Sequence, residues 1–587
     1  MKYRAEIDGL RALAVLPVIL FHAGFEWFSG GFVGVDVFFV ISGYLITTII
    51  ISEMAEGKFS IVNFYERRAR RILPALFFVM LLCIPPAYFY MLPDPLENFG
   101  QSLVSTSLFS NNILLLMTSG YWDLASEYKP LLHTWSLAVE EQYYIIFPIL
   151  MLSLWKFGRN AIFICFISII IISLYFAQVE SDRDIAFYSL HTRVFELLLG
   201  GLMCSYFLER LSNTRPLAKN IFSLIGLLMI FYSILFFDVE TRFPSVYTLV
   251  PVMGTCFVVC FADKTTYVQK ILSNKALVSI GLVSYSAYLF HQPMLSLLRI
   301  YSIHLPSTIV KVFAITITFV LAWISYKFVE SPFRNKEKFD RTSIFLFSAI
   351  AIFSFSSIGL YFYSTGGMSD RLKVNASPLE KSALLSQRAW AYKNDSFAKV
   401  DKQNILVVGN SFARDVVNML IETFDEDDFE IIYRDTMNSC SLREKSDLGL
   451  FAASDVIIFV SSFSDQTCNI ELMKDSLFAR KTFFVGRKHF GHNLNWVMRI
   501  PEKERSNLRN PLDIRYLKHE ANMKSHVPDY NFISFFDSLV EDNSILITSD
   551  NGDLLSDDRE HLTLAGARFT GKLMLKDSAI AAFITRD

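Results

Sequence analysis

The chain has 587 residues, of which 52% are hydrophobic and 19% charged, with a net charge of -2. A mean hydropathy of +0.36 and 55 phenylalanines exclude an ordinary soluble protein and point to a polytopic membrane protein. The near-neutral charge hides a division: the apolar runs lie almost entirely in the first 364 residues, and the remainder reads as a mixed polar globular domain.

The first run, Ile7 to Phe25, carries Arg11 and His22 where a plain anchor would hold no ionisable group. On a helix rising ~1.5 Å per residue they lie roughly 16 Å apart along the axis, about half the hydrocarbon thickness. Ionisable groups at membrane depth are costly and usually face an interior or a watery cavity, so the run reads as a working part. The plainer alternative is a snorkelling arginine and a histidine bonded to a neighbouring helix.

Further apolar windows fall near 31–51, 72–92, 134–155, 161–177, 188–208, 220–237, 246–262, 277–298, 308–329 and 343–364, which with the first makes eleven expected spans. The segment 99–118 is rich in Ser, Asn and Gln and reads as interfacial or re-entrant. With the N-terminus in the cytoplasm, nineteen Lys and Arg fall on inside loops against four outside, a clear positive-inside bias. No small-residue cleavage site follows the first run, so that helix is expected to direct insertion itself. An odd number of spans places the C-terminal domain outside the cytoplasm. An oxidising compartment would let its two cysteines, Cys440 and Cys468, form a disulfide; two buried thiols are the alternative.

This threading also predicts depth. Asp36, His133, Glu140, Glu141, Arg193, Glu196 and His291 fall in the outer half with His22, as one polar cluster, and Asp36, Glu140 or Glu141 could orient the His22 ring. Arg11, Arg67, Arg68, Arg70, Arg71 and Arg334 gather at the inner face. Guanidinium forks match phosphate oxygens, so a phosphate-rich cytoplasmic ligand suits that side, although the positive-inside rule alone would also put basic residues there.

Taken in order, the R-x10-H of the first helix, GFVGVDVFFVISGYLI (31–46), FYERRARRILP (64–74), HTWSLAVEEQYY (133–144), SYSAYLFHQP (284–293) and ESPFR (330–334) resemble the membrane acyltransferase-3 family. The resemblance covers roughly the first 335 residues. It implies acyl transfer from cytoplasmic acyl-CoA, usually acetyl-CoA, to a carbohydrate or other cell-surface acceptor. It makes Arg11 and His22 the characteristic pair and Arg68 with Arg71 the R-x-x-R, the arginines holding CoA and His22 acting as base or transient acyl carrier. Asp36, His133, Glu140, Glu141 and His291 would support them.

Beyond the last window, 365–403 reads as a linker with a short helix around 379–392. Asn404 to Gly409 is then a short buried strand ending in Asn410-Ser411, with a helix over 412–424. A serine at such a turn stands at the carboxyl edge of a sheet, near helix N-terminal amides that can stabilise an oxyanion. Further strand candidates at 429–433, 456–461, 482–486 and 531–536, with helical stretches between, argue a parallel α/β sheet. Near the C-terminus, Asp558 and His561 stand three apart, so a carboxylate can fix an imidazole that activates a serine. G-N-S-F with D-x-x-H-L-T resembles SGNH hydrolase-like domains, which implies Ser411 as nucleophile, His561 as base and Asp558 as its orienter. Two departures stand out: Asn410 replaces the usual aspartate, and Ser461-Ser462-Phe463 lacks the asparagine that normally supplies an oxyanion donor. A domain that only binds glycan is the alternative.

The expected architecture is therefore an all-α membrane domain of about eleven transmembrane helices fused to an extracytoplasmic α/β SGNH-like domain. Its segments are an acyltransferase domain at 1–335, an additional transmembrane helix at 336–364, a periplasmic linker at 365–403 and the SGNH-like domain at 404–587. Chains of this layout resemble O-antigen acetyltransferases of Gram-negative bacteria and, more distantly, peptidoglycan O-acetyltransferases. That resemblance implies O-acetylation of a surface glycan from acetyl-CoA as donor substrate, by a multi-pass inner-membrane protein. The first expectation for the acceptor is lipopolysaccharide O-antigen or a related lipid-linked glycan; the alternatives are peptidoglycan or another surface glycan, or an acyl transporter with an external esterase or glycan-binding domain. Neither a permanently bound cofactor nor a metal is expected. Charges of both signs are interspersed in the C-terminal domain, so nucleic acid is not an expected partner.

Overall fold

A computed structural model describes residues 3–118, 126–203, 214–372, 382–398, 402–435, 448–460, 479–528, 531–576 and 578–584. The chain divides into two compact units. The first comprises Met1–Tyr88, Glu97–Leu298 and Pro306–Ser364; the second comprises Phe89–Leu96, Arg299–Leu305 and Thr365–Asp587.

The first unit is helical. Among the described residues, seven helices are long and apolar enough to cross a membrane: Gly31–Ala55, Ile61–Tyr90, Thr134–Trp155, Arg159–Val179, Pro216–Phe236, Thr308–Arg334 and Arg341–Ser364. The other four expected windows are also helical but shorter, more polar or interrupted. Ala5–His22 carries Glu6, Asp8 and Arg11, Leu190–Leu202 carries Arg193 and Glu196, and Val246–Phe261 is short. The window at 277–298 breaks into Lys275–Leu282 and Ser284–Tyr301. The polar segment 99–118 forms parts of two helices, Pro93–Ser107 and Asn111–Thr118, both too short to span. They are joined through Phe109 in the left-handed region and pinned by a Ser105 to Asn111 hydrogen bond of 2.8 Å.

Small residues set some of the closest helix contacts. A Cβ at Gly43 would come within 1.8 Å of the Leu197 carbonyl oxygen, and one at Gly200 within 2.1 Å of that of Val40. Helices Gly34–Ala55 and Leu190–Leu202 thus touch backbone to backbone, as packing within a bilayer favours.

The second unit contains a five-stranded parallel sheet in the order β2-β1-β3-β4-β6, from β1 (Gln403–Gly409), β2 (Phe429–Arg434), β3 (Val456–Val460), β4 (Thr482–Val485) and β6 (Phe532–Ile533). Both faces are covered, which explains the unbroken apolar runs. Ile405, Val407, Ile458 and Val460 enter one core with Val416 and Leu420 of helix Ser411–Thr423, and Leu406, Val408, Ile457 and Phe459 enter the other with Phe451 and Met523. The predicted strand at 531–536 shortens to two residues, because Ser534 caps a helix, Phe535–Leu539. A small antiparallel sheet of β5 (Arg509–Pro511), β7 (Val540–Glu541) and β8 (Ser544–Leu546) carries no sequence signal: its strands are two or three residues long and one holds a proline.

The stretch read as a linker is built into this unit. Its helix Ser382–Trp390 packs on Ser411–Thr423, with Asn418 donating to the Leu385 carbonyl at 3.2 Å. Asn493 donates to the carbonyls of Arg299, Ile300 and Ser302 at 2.7 to 3.0 Å, and Asn495 accepts from the Leu92 amide at 2.7 Å. These bonds tie the segments 89–96 and 299–305 to the loop after β4. The pair Cys440 and Cys468 lies outside the described residues.

Candidate functional site

Two constellations, one in each unit, gather the chemistry. In the first, a cavity of about 540 Å³ is lined by Arg11, Arg68, Arg71, Arg334, Glu140 and Tyr144, with Tyr285 and Tyr288. Helical periodicity delivers these side chains: Arg4, Ile7, Asp8 and Arg11 share one helix face, as do Ser136, Glu140 and Tyr144.

Periodicity also sorts the basic run at 67–71. Arg67 pairs with Glu53 at 3.0 Å and Arg70 with buried Glu66 at 2.9 Å, so these two are neutralised within the fold. Arg68 and Arg71, one residue further round, face the cavity. The Nε of Arg68 is buried without a hydrogen-bond partner among the described residues, its guanidinium lying 5.7 Å from the centre of the Tyr144 ring. An unsatisfied buried donor beside other guanidinium groups is what an anionic ligand would complete. Arg334 is held at 2.8 Å by buried Glu330, on a π-helical turn over Tyr326–Glu330 that aims it toward the cavity.

The predicted outer cluster separates into parts. His22 lies near His291, their ring centres 5.1 Å apart, and His133 lies 5.3 Å from His291. The Tyr288 hydroxyl bonds Ser136 at 2.6 Å and the His133 carbonyl at 2.9 Å; Tyr288 and Ser136 also line the arginine cavity, so the histidines adjoin its wall. The carboxylates take other partners. Asp36 accepts from buried Arg193 at 2.8 Å, Glu196 accepts from the same nitrogen at 2.9 Å, and Glu140 bonds the Tyr144 hydroxyl. Glu141 is buried with one oxygen unpartnered among the described residues. None of the three carboxylates named for the role is bonded to the His22 ring; its Nδ1 instead lies 2.9 Å from the Val18 carbonyl, four residues back on its own helix.

In the second unit, β1 ends at Gly409, whose φ of 145° few other residues adopt and whose Cβ would meet the Val460 carbonyl at 2.5 Å. That sharp exit places Asn410 as the N-cap of the next helix and Ser411 as its first residue. The site stands at the carboxyl end of β1, where the chain turns from β2 on one side to β3 on the other, the place where open α/β sheets form binding crevices.

Ser411 Oγ lies 2.9 Å from His561 Nε2, and His561 Nδ1 lies 2.5 Å from Asp558 Oδ2. The other Asp558 oxygen accepts the amides of Glu560 at 2.8 Å and His561 at 2.7 Å. Burial pushes the Asp558 carboxyl up, but the bond to His561, its charge and these amides outweigh that and hold it down at about 2. With Nδ1–H given to this carboxylate, Nε2 is left to accept the Ser411 proton. The arrangement can therefore make a serine nucleophile and form an acyl-serine. Residues 461–463, considered for the oxyanion, lie outside the described residues.

Three supporting residues escaped sequence reasoning. Asp415, one turn beyond Ser411, accepts the Leu562 amide at 3.1 Å and pairs with buried Lys488 at 2.7 Å. Phe412 stacks on the His561 ring at 5.6 Å and 20°. Only the i, i+4 spacing of Ser411 and Asp415 was available as a signal; Lys488 had none.

A family model described as an acyltransferase domain matches residues 4–327, more than half of the chain. The chain belongs to the acyltransferase-3 family. Both arginine cavity and histidine cluster fall almost wholly within the family domain. The peptidoglycan O-acetyltransferase OatA of Listeria monocytogenes strain EGD-e is 32% identical over 351 residues, covering 57% of this chain and 56% of the relative. The O-acetyltransferase OatA of Staphylococcus aureus strain NCTC 8325 is 32% identical over 352 residues, covering 57% and 58%. The chain thus spans little more than half the length of these relatives. No solved structure matches. Family membership and the apolar helices make this a multi-pass membrane protein.

Proposed function

We propose that the protein is an O-acetyltransferase that takes an acetyl group from cytoplasmic acetyl-CoA and delivers it to hydroxyls of a glycan outside the cytoplasm. The observation that carries this reading is the hydrogen-bonded Ser411–His561–Asp558 chain on the same polypeptide as an acyltransferase-3 domain. The guanidinium groups of Arg11, Arg68, Arg71 and Arg334 are suited to the CoA phosphates, with the histidine cluster at the cavity wall as the acyl-handling end. A histidine there can serve as base or transient carrier.

In the last step, Ser411 Oγ attacks the acetyl carbonyl as its proton passes to His561; the tetrahedral oxyanion collapses, and the leaving group takes that proton. A glycan hydroxyl then attacks acetyl-Ser411, giving its proton to His561, which returns it to Ser411 Oγ as the acetyl–serine bond breaks. Lipopolysaccharide O-antigen was the first expectation for the acceptor. The relatives named above include a peptidoglycan O-acetyltransferase, which favours peptidoglycan or a related surface glycan instead. The positive-inside bias supports an N-terminus in the cytoplasm and an external C-terminal domain.

Substituting His22→Ala and Ser411→Ala separately, and measuring glycan O-acetyl content by mass spectrometry, tests the reading. Loss in both supports transfer through both units. Loss only for Ser411→Ala indicates a stand-alone external enzyme; loss only for His22→Ala makes the C-terminal domain accessory and removes acetyl-Ser411 from the path.

A further inference from the structure

We propose that Lys488, held against Asp415 in the interior of the C-terminal unit, is a positioning residue that sets the aim of His561 and the charge balance around it; this rests on the reading of Ser411 as nucleophile. The Lys488 side chain is 1% exposed and reaches Asp415 at 2.7 Å. Its ammonium also lies 3.9 Å from the centre of the Phe412 ring, which stacks on His561. Asp415 in turn fixes the Leu562 amide, the residue directly after His561. Lys488 therefore reaches the imidazole indirectly by two routes, through Phe412 and through Asp415 with the Leu562 amide.

A surface lysine would serve solubility, and an apolar side chain would fill the same space without burying a charge. Burial pushes the Lys488 ammonium toward its neutral form, and Asp415 opposes this, with smaller help from Asp558 and Glu560. The charged groups near His561 among the described residues include Asp558, Asp557, Arg559 and Glu560 on its own loop, Asp415 on the helix, Lys488 on the loop after β4 and, through Asp557, Asp94. Asp558 and Asp415 place negative charge near the imidazole and the Lys488 ammonium places positive charge there, so removing Lys488 changes the charge balance of the site.

The test is the rate at which a fluorophosphonate labels Ser411 in the purified full-length protein, followed by intact mass across pH. The acid limb of that profile reports protonation of His561. Lys488→Met should move the limb to higher pH by on the order of one unit, because it removes the cation and leaves Asp415 uncompensated. Lys488→Arg should leave the limb near its original place, and Asp415→Asn should move it to lower pH. If both charge-removing variants slow labelling equally at every pH with the limb in place, the pair only supports the fold and the proposal is overturned. Should Lys488→Met not fold, an unmoved limb in Asp415→Asn overturns it alone. A Ser411→Ala protein labelled as fast as the original would instead overturn the nucleophile assignment itself.

Discussion

Replacing Asp558 with asparagine keeps the side-chain volume and removes one charge. The asparagine oxygen can still accept the amides of Glu560 and His561, but its NH2 group then faces His561 Nδ1. That donor forces Nδ1 to become the acceptor and puts the proton on Nε2, the nitrogen 2.9 Å from Ser411 Oγ. The base can then no longer take the serine proton. The same inversion in a serine protease costs about 10⁴ in rate, so Ser411-dependent acyl transfer should fall by roughly three to four orders of magnitude. The carboxyl held at about 2, against an ordinary 3.8, corresponds to ~2 kcal/mol in favour of the ionised, folded form. Because the folded value is depressed, this stabilisation is present above about pH 4 and is lost as pH falls toward 2. Thermal unfolding of the purified protein across that window should show a steeper acid loss than Asp558→Asn shows. A variant that acylates within tenfold of the original rate, or keeps the same acid-side loss, would refute the assignment of Asp558 as the orienting carboxylate.

Gly409→Ala should destabilise the C-terminal unit by about 2 to 4 kcal/mol, since it forces a side chain into a φ of 145° and against the Val460 carbonyl; scanning fluorimetry in detergent measures it. Arg193→Met leaves Asp36 and Glu196 without their buried cation and should cost about 3 to 5 kcal/mol, whereas the combined Asp36→Asn, Arg193→Met, Glu196→Gln protein should recover much of the loss. Arg68→Ala or Arg71→Ala should raise KM for the acyl donor roughly 10- to 100-fold in a donor-titration assay. Arg67→Ala, whose side chain is engaged by Glu53, should change it less than about threefold.

Much of the layout was legible along the chain. Apolar runs mark helices wherever both backbone and side chains must be satisfied without water, and the β1 run ending in Gly-Asn-Ser marks a strand that must turn sharply into a helix. The antiparallel strands β5, β7 and β8 were not legible, being too short for a period. Windows dense in ionisable groups, such as 8–25 and 188–208, show why hydropathy alone does not fix the number of spans: the charges of Arg193 and Glu196 satisfy each other inside the bundle.

By itself, the sequence determined the two-part organisation, the membrane character of the first part, the gathering of basic residues at 67–71, and the residue types needed for a serine relay. These follow from composition, period and local spacing, which act over a few residues. Which polar groups actually meet was decided only by tertiary structure. His22 keeps company with His133 and His291 and not with Asp36, Glu140 or Glu141; Asp36 belongs to Arg193; and Lys488 reaches Asp415 from the loop after β4. Such pairings join residues tens to hundreds of positions apart, and buried charges choose the partner that the packed backbone brings within hydrogen-bond reach, a choice that no local pattern encodes.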